Sequence, residues 1–228
     1  MNLHVILLVL FATAAVGMAI VRDRVYGDPR AAREVLLYIP SGAVMQRVAL
    51  SYDALVADVY WVRAIQHYGR TRLSPDPRKQ YNLLYPFLDI TTTLDPRFTL
   101  AYRFGAIFLA EPFPNGPGRT DLAEALLRRG AARNPARWEF LQDIGFVHYW
   151  WRRDYATAAG WFQRASAMPG APAWLGPLAA ATLEKGGDRR TARFLWQQLR
   201  DAADSEWLRR EADRRLQQLD VQEQRPRG

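Results

Sequence analysis

The chain contains no cysteine. That excludes structural disulfides, thiolate metal sites and cysteine nucleophiles, and leaves the compartment open. Lysine is nearly missing as well. Of 31 basic residues only Lys79 and Lys185 are lysine, and the rest are arginine. Such a bias fits a GC-rich genome better than a chemical demand. The three histidines, His4, His67 and His148, lie far apart, and none sits in a metal-binding spacing. Neither Gly-x-Ser-x-Gly nor Gly-Lys-Ser/Thr occurs. Gly116-Pro117-Gly118 precedes a predicted helix start, which favours phosphate, but no strand is predicted before it. These absences leave no catalytic constellation. The expectation is a protein that is not an enzyme, with no cofactor, no metal and no small-molecule substrate.

Charge adds little. The net charge is +8, yet the arginines are scattered beside acidic residues, as in Arg209-Arg210-Glu211-Ala212-Asp213-Arg214. That pattern reads as solvated helix faces, and nucleic acid is not the expected partner. A basic, arginine-rich protein binding nucleic acid or anionic lipid is the alternative, and it needs the arginines gathered on one face.

Only one long apolar run is present. Residues 5–21 carry no charge, and Leu3 extends the stretch. A run of that length is at the lower limit for a membrane-spanning helix. Little positive charge precedes it, which argues against a signal peptide, so 3–21 is read as an uncleaved single-pass anchor. Arg22, Arg24, Arg30 and Arg33 follow, and the positive-inside rule would keep that side cytoplasmic. Tethered proteins of this appearance in bacteria often face outward. We place the soluble domain on the extracytoplasmic side of a bacterial inner membrane, against that rule.

Helical patterning is what the sequence has most of. Between Trp138 and Pro172 two patterns lie back to back, joined at Arg152-Arg153-Asp154. Leu141, Ile144, Gly145 and His148 recur at steps of three and four, as do Ala158, Phe162 and Ala165. Small residues at Gly145, Ala158 and Ala165 predict close helix approach. Similar units flank this one: Phe104, Gly105 and Phe108 with Ala123, Leu127 and Gly130, then Trp174, Ala179 and Leu183 with Ala192, Trp196 and Leu199. Ala123, Ala158 and Ala192 fall 35 and 34 residues apart.

A period near 34 in helix-turn-helix units resembles the tetratricopeptide repeat family over residues 97–202. The resemblance implies an all-α fold, a right-handed α-solenoid of about four such repeats behind an N-terminal transmembrane helix. Residues 22–49 read as a connector and 50–96 as a divergent first repeat. Within 50–96 the apolar residues Leu55, Val59, Val62 and Ile65, with Trp61 and Tyr68, form a stripe, and Asp58 reads as an exposed or capped carboxylate. Asp76-Pro77 predicts a helix start, with a kink or break at Pro86. The Pro- and Gly-rich stretch 111–119 reads as an irregular insertion. Asp121 with Glu124 resembles a capping box. A capping helix over 203–220 and a disordered tail, 221–228, end the chain.

In that family the first helix of each pair lines a concave surface that usually binds peptides. By resemblance, Tyr102, Ala106 and Leu109, then Gln142, Phe146, Tyr149 and Trp150, then Trp174, Glu184 and Lys185 would line it here. Phe146, Tyr149, Trp150 and Trp151 are dense in aromatic surface, the kind found at binding hot spots. The other reading is that this cluster packs as core against the first repeat or the insertion. The expected function is a membrane-tethered scaffold for a protein or peptide partner, acidic if Arg152 and Arg153 edge the groove. Assembly of an envelope machine such as a pilus or secretion system is its specific version.

Overall fold

The computed structural model describes residue 11 and residues 13–17 and 41–224. Residues 11 and 13–17 are helical. Among the described residues no helix is long and apolar enough to cross a membrane. The anchor expected over 3–21 and the connector after it fall largely outside the described residues.

From Gly42 to Gln224 the chain forms ten α-helices and one π-helical turn, and the described residues contain no strand. They are α1 (Gly42–Val48), α2 (Asp53–Leu73), α3 (Leu84–Leu94), α4 (Thr99–Ala110) and α5 (Thr120–Arg133). Then come α6 (Trp138–Phe146), the π turn (Val147–Arg152), α7 (Tyr155–Ser166), α8 (Leu175–Lys185), α9 (Arg189–Asp201) and α10 (Glu206–Gln224). Packing is sequential. α2 pairs with α3, α4 with α5, α6 with α7 and α8 with α9, while α1 lies on α3 and α10 on α9. The fold is therefore all-α, built of consecutive helix pairs.

Glycine sets how closely the helices approach. A Cβ on Gly105 would lie 2.7 Å from Leu88 Cδ2, and one on Gly130 2.6 Å from Phe140 Cε1. Between α6 and α7 a Cβ on Gly145 would fall 2.4 Å from the Phe162 ring. Ala158 and Ala165 are fully buried opposite. Two groups of buried side chains result. One joins α2–α6 around Leu84, Leu88, Tyr102, Leu127 and Phe140. The other joins α7–α10 around Phe162, Leu175, Ala180 and Trp196. Leu141 packs against both. Side chains also tie pair to pair. Arg129 of α5 donates to Asp89 Oδ1 and Thr92 Oγ1 of α3, each at 2.6 Å.

Three local expectations fail for identifiable reasons. Asp76 caps only a turn, accepting from the Arg78 N–H at 2.8 Å. The helix starts at Leu84 instead, so Pro86 sits in its first turn, where a missing N–H costs nothing, and no kink results. The Asp121–Glu124 capping box does not form. Asp121 pairs with Arg119 at 2.6 Å, a contact that lowers its pKa to about 2, and Glu124 turns toward Arg128, Arg152 and His148. The C-terminal helix runs to Gln224 rather than ending at 220, and buries Leu208, Ala212, Leu216 and Leu219 while Trp207 stays exposed.

The largest difference concerns α2. Its expected apolar stripe is split: Leu55, Val59, Val62 and Ile65 face outward, 60, 45, 48 and 41% exposed, while Tyr68 is buried and Trp61 half-buried. The buried face is Ala57, Tyr60, Ala64 and Tyr68. Aromatic rings decide the orientation. Tyr68 stacks on Phe108 with centroids 4.3 Å apart, Trp61 stacks on the same ring at 6.2 Å, and Tyr60 meets Phe87 at 5.9 Å. Such rings bury more area than the aliphatic residues would.

His67, on the same helix, sits edge-on to Phe87 with its Nε2 buried and unpartnered. Burial, then Arg70, lowers its pKa to about 4. The unfolded chain therefore binds a proton in a window where the folded chain does not. This contribution to stability is present above pH 6.5 and is lost as pH falls toward 4. His67→Phe is expected to reduce the drop in Tm between pH 6.5 and 4. Parallel Tm–pH curves for the two proteins would remove His67 from the account.

Candidate functional site

The first helices of two consecutive pairs, α4 and α6, face one another across a cavity of about 580 Å³. Helical steps place its walls. Arg103, Ala106 and Ile107 come from α4 at steps of three and one, and Asp143 and Phe146 from α6. Val147, Trp150 and Trp151 come from the π turn, Leu127 from α5, and Glu111 and Pro112 from the insertion. The lining is mainly apolar, with one ion pair set into it. Arg103 donates through Nε and Nη2 to the two Asp143 oxygens, at 2.5 and 3.1 Å. Burial raises the Asp143 carboxyl above its usual range even though Arg103 pulls the other way. Removal of Arg103 leaves that carboxylate mostly buried and poorly paired. Arg103→Ala is expected to lower stability by about 1 kcal/mol, a figure discounted because Arg103 is one-third exposed. Recovery in the double variant Arg103→Met/Asp143→Leu, measured by urea denaturation, is the companion result; failure to recover would mean the pair is not the cause.

The π turn carries two tryptophans of the cavity wall. Its i→i+5 bonding adds a residue to the turn, and the neighbours Trp150 and Trp151 both line the cavity. Arg153 ends the turn in the left-handed region at φ 54°, and Asp154 then caps α7 by accepting from the Thr157 N–H at 3.1 Å. On the far side, α5 holds the turn. Glu124 Oε2 accepts from Arg152 Nη1 at 2.6 Å and lies 3.3 Å from His148 Nε2. Burial would raise the Glu124 carboxyl, but Arg128, Arg152 and His148 together hold it below its usual value. Burial likewise holds His148 below the ordinary histidine range.

The expected groove residues divide. Ala106, Phe146 and Trp150 line the cavity, and Trp150 is 62% exposed. Tyr149 and Lys185 come together outside it, with Lys185 Nζ donating to the Tyr149 hydroxyl at 2.9 Å. Trp174 is exposed at the start of α8. Four are corrected. Tyr102 and Leu109 are core residues, and the Tyr102 hydroxyl donates to the Thr92 carbonyl at 3.0 Å. Gln142 is buried and donates to Asp143 at 3.3 Å. Glu184 turns toward α9 and α10, accepting from Trp196 Nε1 at 2.5 Å and lying 3.6 Å from Arg215. On α4 the cavity-facing side is turned away from the expected one: Arg103 and Ile107 line the cavity beside Ala106, while Tyr102 and Leu109 point into the core. Nor is Arg152 a spare charge for an acidic partner, since Glu124 already meets it.

Arg103, Ile107, Leu127, Asp143 and Val147 line the cavity without being expected there, and Trp151 of the aromatic run joins them. A signal for two of them exists. Arg103 stands two residues before Gly105 and Asp143 two before Gly145, so aligning the two close-approach glycines sets opposite charges at equivalent positions of neighbouring pairs. Comparison with known proteins finds no matching family model, no matching curated protein and no matching solved structure.

Proposed function

We propose that this chain is a non-enzymatic, membrane-tethered scaffold. In this reading the consecutive helix pairs form a right-handed solenoid of tetratricopeptide-like repeats behind an anchor at 3–21. The partner is a protein segment that sets a bulky apolar side chain between α4 and α6. One observation carries the reading: an apolar cavity with aromatic walls lies between the first helices of adjacent pairs and takes in Ala106, Phe146 and Trp150. Pockets of this size with one convergent polar pair are typical of binding sites. The nucleic-acid form of the arginine-rich alternative draws less support, because Arg103, Arg119, Arg128, Arg129 and Arg152 are each paired with a carboxylate of the chain.

A photo-crosslinking amino acid at Trp150, compared with one at Phe194 on α9, tests this in cells. Phe194 is equally exposed, at 60%, but belongs to the second helix of its pair. The same discrete partner joined through position 150 and not through 194 is the expected result. Identical products from both positions would refute a groove. Assembly of an envelope complex is the narrower version, and the identity of the joined protein decides it.

A further inference from the structure

We propose that the outer face of α2 rests on an anionic bilayer surface. The face is a built one. Leu55, Val59 and Val62 recur at steps of four and three with Ile65 beside them, all exposed, while every buried residue of α2 lies on the other side of the helix. Leu50 and Tyr52, 78 and 67% exposed, extend the apolar surface through the turn before the helix. At 100° per residue, Arg63 and Arg70 fall on the flank next to Val59, and both are exposed. Arginine stems lie along an apolar edge while their heads meet phosphate, and tyrosine suits the same boundary. Asp58 is the carboxylate of α2 on this face, toward Ile65.

Twenty residues lie between the uncharged run 5–21 and Gly42, a reach of at most ~70 Å when fully extended. With that run in a bilayer, the tether keeps α2 within reach of the lipid headgroups at high effective concentration, where a weak apolar and basic face suffices for contact. The proposal thus rests on the anchor reading, and its test separates the two.

The absence of cysteine permits single labels on the full chain. NBD is attached at Ala14→Cys, Val59→Cys or Phe194→Cys, and the protein is reconstituted into vesicles of phosphatidylcholine and phosphatidylglycerol, 3:1, with or without spin-labelled lipid. We expect lipid quenching at 14 and at 59, at least threefold stronger at 59 than at 194, and weaker at 59 in pure phosphatidylcholine. Quenching at 14 without quenching at 59 overturns the proposal and leaves the anchor. No quenching at 14 overturns both. A blue shift at 59 without lipid quenching points to a second copy or another protein on this face, and also overturns it.

Discussion

Phe140→Ala is expected to lower unfolding stability by about 3–5 kcal/mol, the range for deleting a fully buried aromatic ring. Phe140 is 0% exposed and stands where three helices meet. Its ring meets Tyr102 of α4 edge to face at 5.7 Å, and it fills the space left by Gly130 on α5. The alanine cavity therefore opens between two helix pairs rather than within one. Collapse is hindered because Tyr102 is itself held by its hydrogen bond to Thr92. Urea denaturation followed by circular dichroism measures the loss. A loss below about 1 kcal/mol would mean that the pairs do not depend on this junction. Phe140→Leu should recover more than half.

Glycine gives the second large effect, and here the same substitution changes sign with position. Gly145→Ala puts a methyl 2.4 and 2.6 Å from two carbons of the Phe162 ring. That ring is fully buried and edge-on to Phe146 at 5.1 Å, so it has nowhere to go. Alanine gains up to about 1 kcal/mol of helix propensity over glycine. Overpacking at so short a distance costs about 1–3 kcal/mol or more, and the clash wins. We expect a net loss of about 2 kcal/mol. At Gly160, in the middle of α7, an added methyl would meet nothing within 4 Å. Gly160→Ala is expected to stabilise by about 0.5–1 kcal/mol through propensity alone. Thermal melts of the two variants side by side decide it. Stabilisation by Gly145→Ala would mean that α6 and α7 are not held at this separation.

Helix identity was legible because spacing of three and four survives any packing partner. The close contacts at Gly145 and Ala158 were legible for the same reason, since small residues at matched helical steps have few other uses. Orientation was not. On α2 two apolar faces compete, one aliphatic and one of tyrosine and alanine, and periodicity cannot rank them. The ranking comes from Phe87 and Phe108, 19 and 40 residues beyond Tyr68 in the chain. At the cavity, one residue of phase separates Tyr102 from Arg103, and a helix turns about 100° over that step. The π turn was illegible because steps of three and four do not distinguish it from a continuing α-helix; in the fold Glu124 meets both His148 and Arg152 of that turn. The start of α3 was misplaced because Asp76 satisfies its own turn.

The order in which the helices lean on one another has a kinetic meaning. Since each helix from α2 onward touches mainly the one before and the one after it, little loop-closure entropy stands in the way of the native contacts. Opening then proceeds from an end inward, with α10 shedding its partner α9 while the junction at Phe140 still holds. Backbone amides should accordingly exchange with solvent in a gradient along the chain, fastest in α10 and slowest around α5 and α6.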